Sequence, residues 1–323
     1  MGNVETAGAL RVEAAGTQSV VKRKTPWVKI RRHWQYYLMA ALPLTYLVVF
    51  KYIPMVGAQI AFRDFSPVEG IWGSEWVGLE HFLLFFKSPN FIPLIRNVVS
   101  INVLVMTLGF VAPIILALAL NELRNVAFKR TVQMVTYFPH FISTVVMASM
   151  IILFLNPRVG FAGNLARLLG WEPVDFMGIS AAFPWIYVFS EIWQRSGFGA
   201  IIYMAALAGI NPELYEAARI DGASRLQKIR HIDLTGILPT IIILLILQSG
   251  EVMNLGFEKV FLLQNPLNLP NSEVIATYVY KIGLINASFS FGAAVGLFNS
   301  VINFFLIIII NSIARRVSEH SLW

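Results

Sequence analysis

An all-α integral membrane protein with six transmembrane helices is the fold class this sequence predicts, and three observations predict it. Of 323 residues, 57% are apolar and 13% charged, where a soluble domain carries about a quarter charged, so there are too few charges to coat a globule. Six apolar runs are long enough to cross a bilayer. Lysine and arginine cluster beside those runs with one sign of asymmetry: fifteen fall in the segments that alternate with the amino terminus, six in the segments between. That is the positive-inside pattern, and it predicts both termini in the cytoplasm. It also explains the net charge of +7 as topological rather than as a nucleic-acid footprint. Cysteine is absent, which excludes a disulfide framework and thiolate metal ligands.

The elements follow in order. Residues 1–33 are Gly/Ala-rich with a basic end and read as a cytoplasmic tail. Trp34 to Met55 is the first span, too long for a signal-peptide core and without a small-residue cleavage site; residues 34–314 form the membrane domain. Val56 to Pro93 is extramembrane. Within it Leu79, Phe82, Leu83 and Phe86 recur at helical spacing and mark a short amphipathic helix along the outer face. Leu94 to Leu120 is the second span, kinked at Pro113, and Thr131 to Leu155 the third. After a Gly/Pro-rich outer stretch the fourth runs from Ile179 to Leu207, the fifth from Gly236 to Phe257, and the sixth from Phe291 to Ile313. Residues 315–323 are a second cytoplasmic tail.

One long charged segment is set between apolar runs: Asn211 to Pro239, overlapping an inner loop that spans 209–236. Leu214, Ala217, Ala218 and Ile220 give a small apolar surface on a short helix, Gly222 breaks it, and a second helix follows with Ser224 as its N-cap. Glu216-Ala217-Ala218, Asp221, Gly222 and the later Ile232-x-Leu234 resemble, in spacing, the EAA loop of binding-protein-dependent ABC importer permeases. Thr235 stands where that pattern usually has proline. The resemblance extends over Phe50 to Met55, Trp76 to Phe82, Leu118 to Asn125, Tyr137 to Ser143 and Phe257 to Pro266, and is to the oligosaccharide-importing branch with type I architecture. Within that branch the chain is similar to permeases for complex polysaccharides such as alginate.

That resemblance implies a permease subunit, not an enzyme. It would pair with a homologous second permease, two ATPase subunits that bind the ATP and Mg, and a periplasmic binding protein, in a bacterial inner membrane. Its cargo would be an acidic, alginate-like oligosaccharide moved by alternating access. Glu216, Ala217, Ala218, Asp221 and Gly222 would couple to the ATPase. The sequence itself contains no Gly-x-x-x-x-Gly-Lys-Ser/Thr loop, so no phosphate cradle belongs to this chain, and it expects no metal, cofactor or nucleic acid.

Polar residues inside spans are candidate path residues. Glu191 and Arg195 stand four apart on one helical face, with Trp193 and Gln194 beside them. In the fifth span and at its outer end, Gln248, Glu251, Asn254 and Glu258 fall within about a third of the helix circumference, and would line an aqueous path. Arg195 is the basic residue nearest the middle of a span, and it either holds an acidic substrate or is occupied by Glu191. His140, without a second ligand nearby, reads as packed. An ion- or proton-coupled secondary transporter or channel, using Glu191, Glu251 and Glu258, is the alternative class; it leaves the inner loop unexplained.

Overall fold

The computed structural model describes residues 33–250, 253 and 255–317. The chain divides into two compact units, Met1–Val56 and Gly57–Trp323. The tail 1–32 and residues 318–323 lie outside the described residues, as do Glu251 and Asn254. In the first unit α1 (Trp34–Leu47) carries Pro43 and continues through a π-helical turn, Val48–Tyr52, into Ile53–Met55. The apolar stretch Trp34–Phe62 has the length and composition of a membrane span.

The second unit opens with two antiparallel two-residue strands, β1 (Arg63–Asp64) and β2 (Glu75–Trp76). The amphipathic helix follows as α2 (Glu80–Lys87), but its inward side differs from the expected stripe. Phe85 is the buried residue, against the rings of Phe91 and Phe298, while Leu79 and Leu83 are exposed. The neighbouring elements offer aromatic rings, so the phenylalanine turns in and the leucines are left outward, which suits a helix lying on lipid. Then come α3 (Phe91–Leu104), a π turn Val105–Gly109 and α4 (Phe110–Glu122), which together make one candidate span, Phe91–Glu122.

An uninterrupted third span over Thr131 to Leu155 does not form. Instead α5 (Val126–Tyr137), with a 3-10 turn Phe138–Phe141, and α6 (Thr144–Leu155) meet at 104°. The cause is local: Pro139 removes a donor near the end of the first helix, and Ser143 caps the second by accepting from the Val146 amide. His140 lies at this break, stacked on Phe198 with ring centroids 3.9 Å apart. The helix α7 (Phe161–Leu168) follows.

The centre is α8 (Phe183–Ala208), which packs on α3, α4, α5 and, further along the chain, α11 (Leu234–Ser249). Its approach to α5 requires glycine: a Cβ on Gly197 would stand 1.9 Å from the Thr136 carbonyl oxygen. Small residues at such crossings let backbones meet where lipid offers no hydrophobic driving force. Between α8 and α11 lie α9 (Pro212–Ile220) and α10 (Arg225–Lys228). From Arg225 a single helical stretch, through a π turn Ile229–Asp233, runs to Ser249.

The fifth span therefore ends at Ser249, not Phe257. Gly250 and the segment around Met253 separate it from α12 (Phe257–Leu263). After α13 (Ile275–Val279) the last span is α14 (Phe289–Val317). Among the described residues four helices have span length and composition by themselves, and up to six do when each of the two bent pairs counts as one. Two apolar cores divide the length of α8: Phe183, Tyr187 and Val188 join one, Ala200, Tyr203 and Leu207 the other. The charged turn of α8 lies between them.

Candidate functional sites: a charged cavity and an inner loop

Glu191 and Arg195 project from that turn, and their ion pair forms as the spacing predicts, Arg195 Nε to Glu191 Oε1 at 2.6 Å. The other carboxylate oxygen is also taken. Lys259, on α12, places Nζ 2.9 Å from Glu191 Oε2 and 3.4 Å from Gln194 Oε1, and lies 5.4 Å from the Tyr187 ring centroid in a cation–π contact. Lys259 is 4% exposed. A lysine buried this far persists only when paired and hydrogen-bonded, and here both conditions hold. Gln194 in turn donates to the Ile142 carbonyl at 3.2 Å, fixing α8 to the break before α6.

The pairing leaves Arg195 half-engaged. Its closest contact is made through Nε, and its side chain is 70% exposed against 14% for Glu191. The guanidinium, whose Nη edge is the part that binds carboxylates bidentately, is thus largely open to the cavity. Glu191 and Arg195 line a cavity of about 580 Å³ together with Asn102, Tyr187, Tyr203 and Gln248. One carboxylate and two cations give the cluster a net charge of +1.

Several expected path residues are placed elsewhere. Trp193 lines a separate groove of about 750 Å³ walled by Met150, Phe154, Trp185 and Phe189, because two positions on from Glu191 is the opposite side of a helix. Gln194 is buried and supports Lys259 rather than facing the cavity. The stripe Gln248, Glu251, Asn254, Glu258 is not one helical face, since the helix stops at Ser249; Gln248 alone of the described members lines the cavity, and Glu258 is an exposed residue in the first turn of α12. Lys259, which falls between the expected fifth and sixth spans and so in an outer segment, is instead buried against Glu191. Its signal was present: Lys259, Val260 and Leu263 share the buried side of α12, a lysine interrupting an apolar face.

The inner loop is built by local rules. Asn211 caps α9 by accepting from the Glu213 amide at 3.0 Å, and Pro212 occupies the first helical position. Gly222 ends it at φ +73°, the left-handed conformation glycine adopts without a Cβ clash. The Ala223 amide donates to the Ala218 carbonyl and the Gly222 amide to that of Arg219, a Schellman motif. Ser224 and Gln227 then form a capping box. The helix passes through Thr235, and Pro239 sits inside α11.

The apolar surface expected on α9 faces outward. Ile220 is 87% and Leu226 75% exposed, and Leu214 is exposed too; the residue that turns in is Tyr215. Its hydroxyl donates to Oδ1 of the wholly buried Asp233, beside Asn121 and Glu122 at the end of α4. Burial, then the bond to Asp233, raises the Tyr215 pKa, so the phenol keeps the proton it donates. Glu216, Ala217, Asp221 and Gly222 are exposed and Ala218 half-buried.

Residues 109–319 match the family model described as binding-protein-dependent transport system inner membrane component. The polygalacturonan/rhamnogalacturonan transport system permease protein YteP of Bacillus subtilis (strain 168) is 40% identical, over 94% of both chains. Protein LplB of the same strain is 41% identical over 91% of this chain and 92% of its own. Among solved structures, a bacterial ABC transporter involved in the import of the acidic polysaccharide alginate has a chain that superposes with a TM-score of 0.85 at 37% identity, covering 90% of this chain and 99% of that one. A bacterial alginate ABC transporter in complex with an alginate pentasaccharide-bound periplasmic protein gives 0.86 at 36% identity, covering 92% and 99%. The coupled-carrier alternative leaves these matches, like the loop, without an account. This chain belongs to the family of binding-protein-dependent transport system inner membrane components, as a permease subunit of an ABC importer.

Proposed function

We propose that the chain conducts an acidic oligosaccharide, alginate-like or pectin-like, and that Arg195 holds a uronate carboxylate in the cavity during passage. The observation that carries this reading is the exposed guanidinium in a cavity whose cluster has net positive charge. The cargoes of the relatives, polygalacturonan and alginate, are polymers of uronic acids and support it. In this reading a homologous second permease completes the pore, a periplasmic binding protein delivers the cargo, and two ATPase subunits bind ATP and Mg. Both termini lie on the cytoplasmic side of the inner membrane, an orientation supported by the fifteen-to-six basic asymmetry. The loop Asn211 to Ile232 meets the ATPase there, with Glu216, Ala217, Ala218, Asp221 and Gly222 at the contact. Nucleotide binding shifts the population between outward- and inward-open states.

The test is ATP-dependent uptake by the reconstituted complex. Alginate pentasaccharide enters, a neutral glucan of equal length does not, and Arg195→Gln lowers uronate uptake by about tenfold or more, the scale of losing one partner of a charged contact. Undiminished uptake by Arg195→Gln overturns the reading.

A further inference from the structure

Glu191 alone would defeat the arginine beside it. A carboxylate four residues away with two free oxygens is the natural bidentate partner for a guanidinium, and an Arg195 so held would have no edge left for cargo. In the structure one oxygen is removed from that competition by Lys259, whose Nζ is 2.9 Å from Oε2, and Arg195 makes its closest approach to the other oxygen through Nε. Lys259 has no route to the substrate itself: it is 4% exposed and absent from the cavity lining. Its other contacts, Gln194 Oε1 and the Tyr187 ring, both come from α8. It is thus the far half of a three-charge cluster, brought in by a helix 68 residues along the chain.

We propose that Lys259 is a positioning residue that sets selectivity for acidic cargo: by neutralising Glu191 it keeps the Nη edge of Arg195 open to uronate carboxylates. This rests on the reading of Arg195 given above. Without Lys259 the cluster loses one positive charge, Glu191 recovers both oxygens, and Arg195 folds onto it. Removing the carboxylate as well should release the arginine again.

The experiment uses the complete permease–ATPase complex in detergent, without binding protein, and measures binding of fluorescent alginate pentasaccharide and of a neutral pentaglucan. Lys259→Met is expected to weaken uronate binding about tenfold, as loss of one charge from a paired site does, with neutral-glucan binding unchanged. The double variant Glu191→Gln with Lys259→Met should return to within about threefold of the parent. A merely structural lysine would lower uronate and neutral-glucan binding together, so loss of both in Lys259→Met, or a double variant as weak as the single, overturns the proposal. Should Lys259→Met fail to assemble, the double variant, which buries no unpaired charge, decides alone: retained uronate binding supports the proposal and loss overturns it. Arg195→Gln separates the two claims. If it binds uronate normally, the reading of the cavity itself falls; if it loses uronate while Lys259→Met keeps it, only the role of Lys259 falls.

Discussion

The inner loop and the charged cavity are held together by opposite means. Every cap of the loop is made by residues within five positions of each other: Asn211 with Glu213, Ala218 with Ala223, Ser224 with Gln227. One longer tie, Tyr215 to Asp233, joins it to the helix that follows. The charged cluster of the cavity has one local ion pair, Glu191 with Arg195, and otherwise depends on Lys259 and Ile142, far away in sequence. A self-contained loop can be pushed by a partner and move as a body. A cluster built across three elements cannot shift one member without unpairing another. The first suits a transmitter, the second a filter that responds when the elements around it move.

That contrast can be broken most severely by exchanging charges in the cavity. An isolated i, i+4 pair tolerates reversal, so Glu191→Arg with Arg195→Glu should be mild if the pair stood alone. With Lys259 against Glu191, the exchange brings two buried cations together, at a cost of several kcal/mol even at an effective dielectric of about twenty. The expected result is little or no assembled complex, recovered in part when Lys259→Glu is added to surround the new arginine with carboxylates. Normal yield of the double exchange would mean that Lys259 is not bound to Glu191.

In the loop, Gly222→Asp is expected to leave assembly intact and abolish uptake. A Cβ there meets no atom within 4 Å, so nothing clashes, but a side chain at positive φ costs about 1–2 kcal/mol and a new carboxylate enters the exposed contact surface. Glu216→Lys, also on that surface, should act the same way. Wild-type uptake by both variants would remove the loop from coupling. Tyr215→Phe is smaller: it strips the hydrogen bond from Asp233, whose Oδ2 already lacks a hydrogen-bond partner among the described residues. A penalty of about 1–3 kcal/mol should appear as ATP turnover that continues while uptake per ATP falls several-fold. Tight coupling in Tyr215→Phe would make the tie dispensable.

The sequence made the loop legible because its signals are local: an N-cap, a glycine and a capping serine lie in the order in which the chain uses them. It read the span count and the Glu191–Arg195 pair for the same reason. It failed where a feature depends on what a helix meets. The bend at Ile142 and Ser143 sits in an apolar run that hydropathy cannot divide, and the end of α11 at Ser249 undid a stripe computed on an unbroken helix. Ile220 belongs to the apolar surface of α9 that the sequence marks, yet its side chain is exposed rather than packed in a core. Lys259 falls between two apolar runs and so reads as an outer-side charge, whereas the carboxylate that permits its burial lies on a different helix.

The mildest test asks which side of α8 carries water, in a chain with no native cysteine. Gln248 lines the cavity with Arg195, whereas Trp193 lines the groove walled by aromatic and aliphatic side chains. Gln248→Cys should react with a membrane-impermeant thiol reagent, and Trp193→Cys should resist it because a charged reagent does not enter an apolar groove. Glu258→Cys, on the exposed first turn of α12, serves as an accessible control outside the cavity. Alginate pentasaccharide should slow the reaction at position 248 and leave that at 258 unchanged, since occupancy of the cavity shields only its lining. Equal labelling at 193 and 248 would place both sides of α8 in water and leave the cavity without its distinction from the groove. Protection at 258 as strong as at 248 would move the cargo to the entrance of α12, away from Arg195.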